Sequence, residues 1–277
     1  MEDVTANPIA AAPTRPARAE WRETVWFLVR LAILFTLIRS FIFSPFVIPS
    51  ESMLPRLYIG DYLVVSKFSY GFSRHSLPFG APLIPGRLLT RLPARGDVAV
   101  FKAPPLDRED YIKRVIGLPG DTIQLRRGQI ILNGVAVPQV PVEDFVIPIT
   151  PNYPSEKCGP AFAEISFGKP YCRYRQYRET LPGGASYTVI DRGETAADDT
   201  ELFTVPAGHV FMMGDNRDDS LDSRFPQIPG QGIGFVPVEN LVGRAQFTFF
   251  STDGSASWLL PWTWFTAARW DRMGKGF

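Results

Sequence analysis

The sequence predicts a mainly β body, carried behind one N-terminal apolar helix and interrupted by a second β-rich lobe. Three observations carry this prediction. A membrane-type apolar stretch runs from Thr24 to Ile38 and, past Arg39-Ser40, continues from Phe41 to Ile48. The 277 residues include 26 Pro and 23 Gly, which punctuate the chain with turns. Between the turns lie many short runs rich in Val, Ile, Phe and Tyr, residues that fit a pleated, half-buried surface. With 45% hydrophobic residues the chain has enough apolar material for a packed core.

Taken in order, residues 1–20 are rich in Ala and Pro and read as a disordered tail. The expected division is a tail over 1–22, a membrane anchor over 23–44 and a body over 45–277. A span needs about 20 mostly apolar residues. Arg30 interrupts this one, at roughly 2.5–3.5 kcal/mol in a helix centre and less where the side chain snorkels. The rival reading is a cleaved leader, but no small-x-small site follows the apolar core and bulky residues continue up to Pro49. Arg15, Arg18 and Arg22 precede the span, with Glu20 and Glu23 softening their charge. The positive-inside tendency then puts the N-terminus in the cytoplasm and the body outside, with the lipid bilayer as a partner.

Past the span, Asp61–Phe68, Asp97–Phe101 and Tyr111–Ile116 read as strands. Asn133-Gly134 supplies a hairpin turn between Ile130–Leu132 and Val135–Val137. Pro and Gly interrupt the stretches from Ser73 to Arg95 and from Pro138 to Pro182 too often for long elements, so these read as extended insertions. The expected body is a core holding Ser52, Lys113 and Ser220, with 126–204 as a variable β-rich lobe.

A formal net charge of +1 gives no basic field to recruit nucleic acid. Cys158 and Cys172 lack a second pair of thiols or histidines at ligand spacing, so no zinc, other metal or cofactor is expected. In an oxidising compartment a disulfide between them would contribute about 3 kcal/mol in the chain-entropy model. Two buried free thiols are the alternative.

Ser52 follows the apolar stretch, and Lys113 lies on a predicted strand; together they suggest a serine nucleophile with a lysine base. The two histidines, His75 and His209, sit in turn or loop contexts, which argues against a Ser-His-Asp triad. A lysine near pKa 10.4 must fall by roughly three units to serve as a base near neutrality, and this requires desolvation. On a strand Lys113 shares its face with Tyr111 and Val115, while Arg114 points the other way with Ile112 and Ile116, so an apolar setting is expected. Ser166 and Lys169 match a second serine-lysine spacing, but that motif needs a helical turn, and Gly168 and Pro170 oppose one.

Three blocks occur in order: Ser50-Glu51-Ser52-Met53-Leu54-Pro55, Asp110-Tyr111-Ile112-Lys113-Arg114 through Asp121, and Gly214-Asp215-Asn216-Arg217-Asp218-Asp219-Ser220. In this order they resemble the bacterial type I signal peptidases. The resemblance continues through Leu57, Gly60-Asp61 and Phe68-Ser69-Tyr70-Gly71, and takes in Arg95–Val98 and Leu241–Ala245, segments that serve folding. It implies an inner-membrane endopeptidase that cuts signal peptides from exported preproteins through an acyl-enzyme, with Ser52 as nucleophile and Lys113 as base. The Ser50 hydroxyl and Ser52 N–H would form the oxyanion hole. Ser220 would orient the lysine, and Asp215, Asp222 and Arg224 would brace the site as ion pairs. Phe46 and Ile48, with Tyr111 and Ile112, would build shallow pockets for small substrate residues. Glu51 stands where the family often has Gly. A self-cleaving serine-lysine repressor and an inactive membrane-anchored interaction protein are the alternatives. The aromatic tail from Trp258 to Trp270 reads either as an interfacial patch or as packed against the body.

Overall fold

The computed structural model describes residues 17–277 apart from Phe167 and Trp258. Of the disordered tail expected over residues 1–20, residues 1–16 lie outside the described residues, as does Trp258 of the aromatic tail, and residues 17–20 correct the expectation, because they form the first turn of the helix that continues into the apolar stretch. Helix α1 spans Ala17–Phe41. Trp26, Phe27, Leu31, Leu34 and Phe35 are exposed along it, so its apolar surface is not covered by the body. Its end is set locally: the Ser44 hydroxyl donates to the Arg39 carbonyl at 2.6 Å, satisfying a helix C-terminal oxygen, and Pro45 cannot continue a helix.

Beyond α1 the chain is almost entirely β. Strands β1 (Phe43–Val47) and β2 (Asp61–Ser66) flank the Ser52 turn, and a short ribbon follows, β3 (Phe72–Ser73) with β4 (Arg87–Leu88). Next come β5 (Val98–Lys102) and β6 (Asp110–Gly117), then β7 (Thr122–Arg126), β8 (Gln129–Leu132) and β9 (Val135–Ala136). Strands β10 (Gln139–Pro141) and β11 (Phe145–Pro148) precede the short helix α2 (Ser155–Cys158). They are followed by β12 (Ala163–Ser166), β13 (Lys169–Thr180), β14 (Ser186–Asp191) and β15 (Phe203–Thr204). The chain closes with β16 (His209–Met213), β17 (Val236–Pro237), β18 (Leu241–Ser251) and helix α3 (Thr263–Ala267).

One antiparallel sheet, in the order β1-β2-β18-β5-β6-β16-β17, organises the body. Register shifts along β18 against both β2 and β5 mark bulges, which bend a strand and increase its twist, so the sheet curls. The curl brings the turn between β1 and β2 towards β6. A second sheet, β15-β7-β8-β9, contains the expected hairpin, with Asn133 and Gly134 both at positive φ (52° and 78°) as its turn requires. Because Phe203 pairs with Ile123, the two ends of the 126–204 stretch are close neighbours in one sheet. Its apolar side chains divide between two clusters: Ile130, Leu132, Tyr187 and Val189 pack with Ile116, Phe211 and Met213 of the main sheet, whereas Phe145, Ile147, Tyr153, Tyr174 and Ile190 form a cluster of their own that Leu54 joins from the Ser52 turn.

The expectation of no long element between Pro138 and Pro182 is corrected. Strand β13 runs for 12 residues and pairs with β10, β11, β12 and β14. Pro170 is the second residue of the strand, close to the end where a strand tolerates proline, and Cys172-Arg173-Tyr174-Arg175 alternates apolar and charged side chains with the period of a strand. Along it the side chains of Cys172 and Tyr174 are buried, while Arg173 and Arg175 are exposed. Ser166 and Lys169 are cross-strand partners in the β12–β13 hairpin, so they do not occupy a helical turn.

The turn that follows Ser52 is buttressed from the C-terminus. Arg272 donates to the buried Asp61 carboxylate at 2.5 Å and to the Arg56 carbonyl at 2.9 Å, with its guanidinium 3.4 Å from the Tyr58 ring centroid. Asp61 in turn accepts from the Tyr58 N–H at 2.9 Å and from the Ser251 hydroxyl at 2.6 Å. In the aromatic tail Trp264 stacks on Phe250, whereas Trp262, Phe265 and Trp270 remain exposed.

Candidate active site

The site forms where the β1–β2 turn meets the middle of β6. Lys113 lies opposite Ala99 of β5, and Val115 of its own face is buried with Ala99, Phe101 and Val210, with Tyr111 packed against that cluster. The face expected from strand alternation is the one observed. Lys113 is 4% exposed, and its Nζ lies 2.5 Å from Ser52 Oγ and 5.7 Å from the Tyr111 ring centroid. Burial pulls the ammonium down from 10.5 to about 8, against the opposing pull of the Asp222 and Asp215 carboxylates. A lysine in this state is a substantial fraction neutral in mild alkali and can take a hydroxyl proton.

Ser52 is itself 6% exposed and sits in a tight turn closed by the Leu54 N–H donating to the Glu51 carbonyl at 3.0 Å. Ser50 Oγ is 3.4 Å from Ser52 Oγ. Among the described residues no backbone acceptor takes the Ser52 N–H, so it and the Ser50 hydroxyl can both donate to an oxygen placed beside Ser52. The turn is held from the third block: the Asn216 N–H donates to the Ser52 carbonyl at 3.1 Å, and its side-chain amide to the Glu51 carbonyl at 3.3 Å.

Gly214 makes this approach feasible. A methyl group on its α-carbon would lie 2.5 Å from the Ser52 carbonyl oxygen and 2.3 Å from Ser220 Oγ, so only hydrogen fits between the two serines. Ser220 is buried, and its hydroxyl makes no hydrogen bond of normal geometry, although it lies near enough to Asp222 to help hold that carboxyl ionised. No hydrogen bond joins Ser220 to Lys113 in this structure.

The other expected braces are present as specific pairs. Asp215 takes Arg114 bidentately, at 2.7 and 2.5 Å, and the Arg114 guanidinium lies 4.1 Å from the Tyr187 ring centroid. Asp222 takes Arg224 at 2.9 and 3.0 Å and the Gly214 N–H at 3.0 Å. Burial pushes the Asp222 carboxyl up, but Arg224 and the Gly214 hydrogen bond hold it below its usual range. Of the pocket candidates, Ile48 and Ile112 share one buried cluster with Phe46 packed against it. Tyr111 lies on the opposite face of β6, beside Lys113.

His75 is buried in a short 3-10 turn, where its Nε2 accepts from Arg74 Nε at 3.3 Å, and His209 Nδ1 lies 3.0 Å from the Ala207 carbonyl. Neither ring bonds a serine.

Several residues at the site were not anticipated. Arg217 forms a buried ion pair with Glu179 of β13, which also accepts from the Tyr187 hydroxyl at 2.8 Å. Lys157 of α2 reaches the Glu51 carboxylate at 2.6 and 2.7 Å. Arg192 lies 3.4 Å from Asp219. The disulfide considered for Cys158 and Cys172, by contrast, is present, with a Cα–Cα distance of 5.7 Å, and ties α2 to β13. An arginine inside an apolar strand was a legible sign of a buried partner at position 114. Nothing near Glu179 or Lys157 in sequence pointed to a partner more than 35 positions away.

A buried lysine amine against a serine hydroxyl, on a curled β-sheet, defines a site suited to acyl transfer without histidine. The sequence matches the family described as signal peptidase, peptidase S26, over residues 21–250. The chain therefore belongs to the signal peptidase family, a family of hydrolases. Signal peptidase I of Rickettsia massiliae is 36% identical over 247 residues, covering 86% of this chain and 81% of the relative. Signal peptidase I of Rickettsia canadensis is 38% identical over 242 residues, covering 84% and 80%. A solved signal peptidase I from Enterococcus faecalis aligns with a TM-score of 0.29 at 25% identity, covering 56% of this chain and 97% of that one.

Proposed function

We propose that the chain is a membrane-anchored serine endopeptidase that removes N-terminal signal peptides from exported preproteins through a Ser52–Lys113 dyad. The observation that carries this reading is the 2.5 Å contact between Lys113 Nζ and Ser52 Oγ, with Lys113 buried and its pKa lowered to about 8. The division that goes with it is a cytoplasmic tail over 1–22, an anchor over 23–44 and an extracytoplasmic peptidase body over 45–277, with 126–204 as an inserted lobe.

In this mechanism neutral Lys113 takes the Ser52 proton as Oγ attacks the scissile carbonyl carbon. The Ser52 N–H and Ser50 O–H donate to the oxyanion; loss of one such donor lowers the rate about 100- to 1,000-fold. The intermediate collapses as Lys113 returns the proton to the leaving amine, which departs as the mature protein's N-terminus. Water then attacks the Ser52 ester with Lys113 again as base and frees the signal peptide. Ser220, whose buried hydroxyl makes no hydrogen bond of normal geometry, is assigned to hold the lysine amine through the cycle. Phe46, Ile48 and Ile112 offer an apolar surface for small substrate side chains before the cut, and Tyr111 flanks the base.

The test is cleavage of a preprotein by the detergent-solubilised full chain, followed by sequencing of the product N-terminus. Wild type releases the mature N-terminus and Ser52→Ala does not. An active Ser52→Ala protein, or cuts away from the leader boundary, would overturn the reading.

A further inference from the structure

In the turn where an oxyanion is to be stabilised, Glu51 stands between the two serines in sequence, with its carboxylate within electrostatic reach of Asp219, the neighbour of Ser220. An unpaired negative charge there opposes the charge that develops on the substrate carbonyl. Glu51 is largely buried, its side chain 14% exposed, so solvent alone does not screen it well. A second carboxylate, Asp219, sits beside Ser220, and burial together with Glu51 pushes its carboxyl up. Asp219 also acts on Lys113. The two acids are thus electrostatically linked to each other and, through Asp219, to the base.

Both are met by cations, Lys157 from the disulfide-tied helix α2 and Arg192 from the residue that follows β14. Lys157 grips both oxygens of Glu51, at 2.7 and 2.6 Å. Arg192, at the end of β14, lies 3.4 Å from Asp219, donates to the Cys158 carbonyl at 3.3 Å and lies over the rings of Phe162 and Tyr174. Lys157 immediately precedes Cys158, whose disulfide to Cys172 and whose carbonyl, accepting from the Tyr174 hydroxyl at 3.1 Å, fix the short helix on β13. The lysine is therefore delivered to the nucleophile turn by a rigid support.

We propose that Lys157 is a positioning residue for the reaction: it neutralises Glu51 beside the nucleophile, so that this carboxylate does not oppose the oxyanion. The inference rests on the dyad reading above. It gives the 126–204 stretch a part in the chemistry, as the source of the cations that cancel the acids on either side of Ser52 and Ser220. Lys113, Arg192 and Asp219 are the other charged groups coupled to this cluster.

The experiment is a charge cycle on the full chain, measuring kcat and KM for preprotein cleavage across pH. Lys157→Met lowers kcat by roughly five- to tenfold, with little change in KM, as expected for one partly screened charge next to the transition state. It also moves the acid limb of the rate profile to higher pH, because the unpaired acids favour the charged lysine. Lys157→Arg keeps the charge and retains activity. The Glu51→Gln, Lys157→Met double variant recovers most of the lost rate, since no carboxylate is left to neutralise. A double variant as slow as Lys157→Met, or a Lys157→Met protein with wild-type rate and pH profile, overturns the proposal. Because every comparison is made against an active wild type, an inactive wild type or an active Ser52→Ala protein would instead count against the dyad itself.

Discussion

At the scale of single residues the site is organised by the cost of burying Lys113. In the unfolded chain its pKa is near 10.5, and in the fold it is about 8. A folded pKa below the unfolded one means the fold carries a penalty, present in full below pH 8 and relieved as pH rises through the window from 8 to 10.5. That penalty is about 3 kcal/mol at neutral pH. Lys113→Met should therefore be inactive yet more stable than wild type at pH 7, and the gain should shrink above pH 8, as read from denaturant midpoints. The same shift sets the rate: cleavage should rise as pH passes through about 8 and fall away in acid, checked by kcat/KM against pH. Gly214 is the second exacting residue. Gly214→Ala pushes a methyl into the Ser52 carbonyl and Ser220, and should lower the rate roughly 100-fold through misplacement of the nucleophile turn, while costing about 1–3 kcal/mol of stability. Wild-type kinetics in that variant would show the approach to be looser than described.

At the scale of elements, what was legible in the sequence depended on whether a signal is local. The strand carrying Lys113, its apolar face and the Asn133-Gly134 hairpin all follow from period and turn chemistry within a few residues, and the structure has them. Strand β13 was missed because prolines were read as breakers, although one of them falls where a strand tolerates it. Asp215 was legible as an ion-pair brace and Arg114 as a residue in need of a buried partner, but which residue meets which was not. Glu179 for Arg217, Asp215 for Arg114 and Lys157 for Glu51 are separated by 38, 101 and 106 positions, and only the curled sheet brings them together. The disulfide belongs to this scale as well. Two cysteines 14 positions apart gave a possible pairing, and the geometry joins them across α2 and β13. Removing it, by Cys158→Ala with Cys172→Ala, should cost about 3 kcal/mol of stability in the chain-entropy model. Equal denaturant midpoints for the double variant and the oxidised wild type would contradict that role.

At the scale of the molecule, a long helix with an exposed apolar surface is joined through the single residue Ile42 to a β body that carries the site on the turn after its first strand. An uncovered surface of Trp, Phe and Leu side chains along α1 is unfavourable in water and favourable in lipid. The chain should stay with the membrane fraction after carbonate washing, and protease added outside the inner membrane should digest the body. Release by carbonate would contradict the anchor. The central claim is that a lysine, not a histidine, activates the serine, and it is tested most directly by the rate of preprotein cleavage by Lys113→Arg. The guanidinium keeps a positive charge and cannot give up its proton, so cleavage should fall to background in a folded protein. Cleavage by Lys113→Arg at near the wild-type rate would contradict the account.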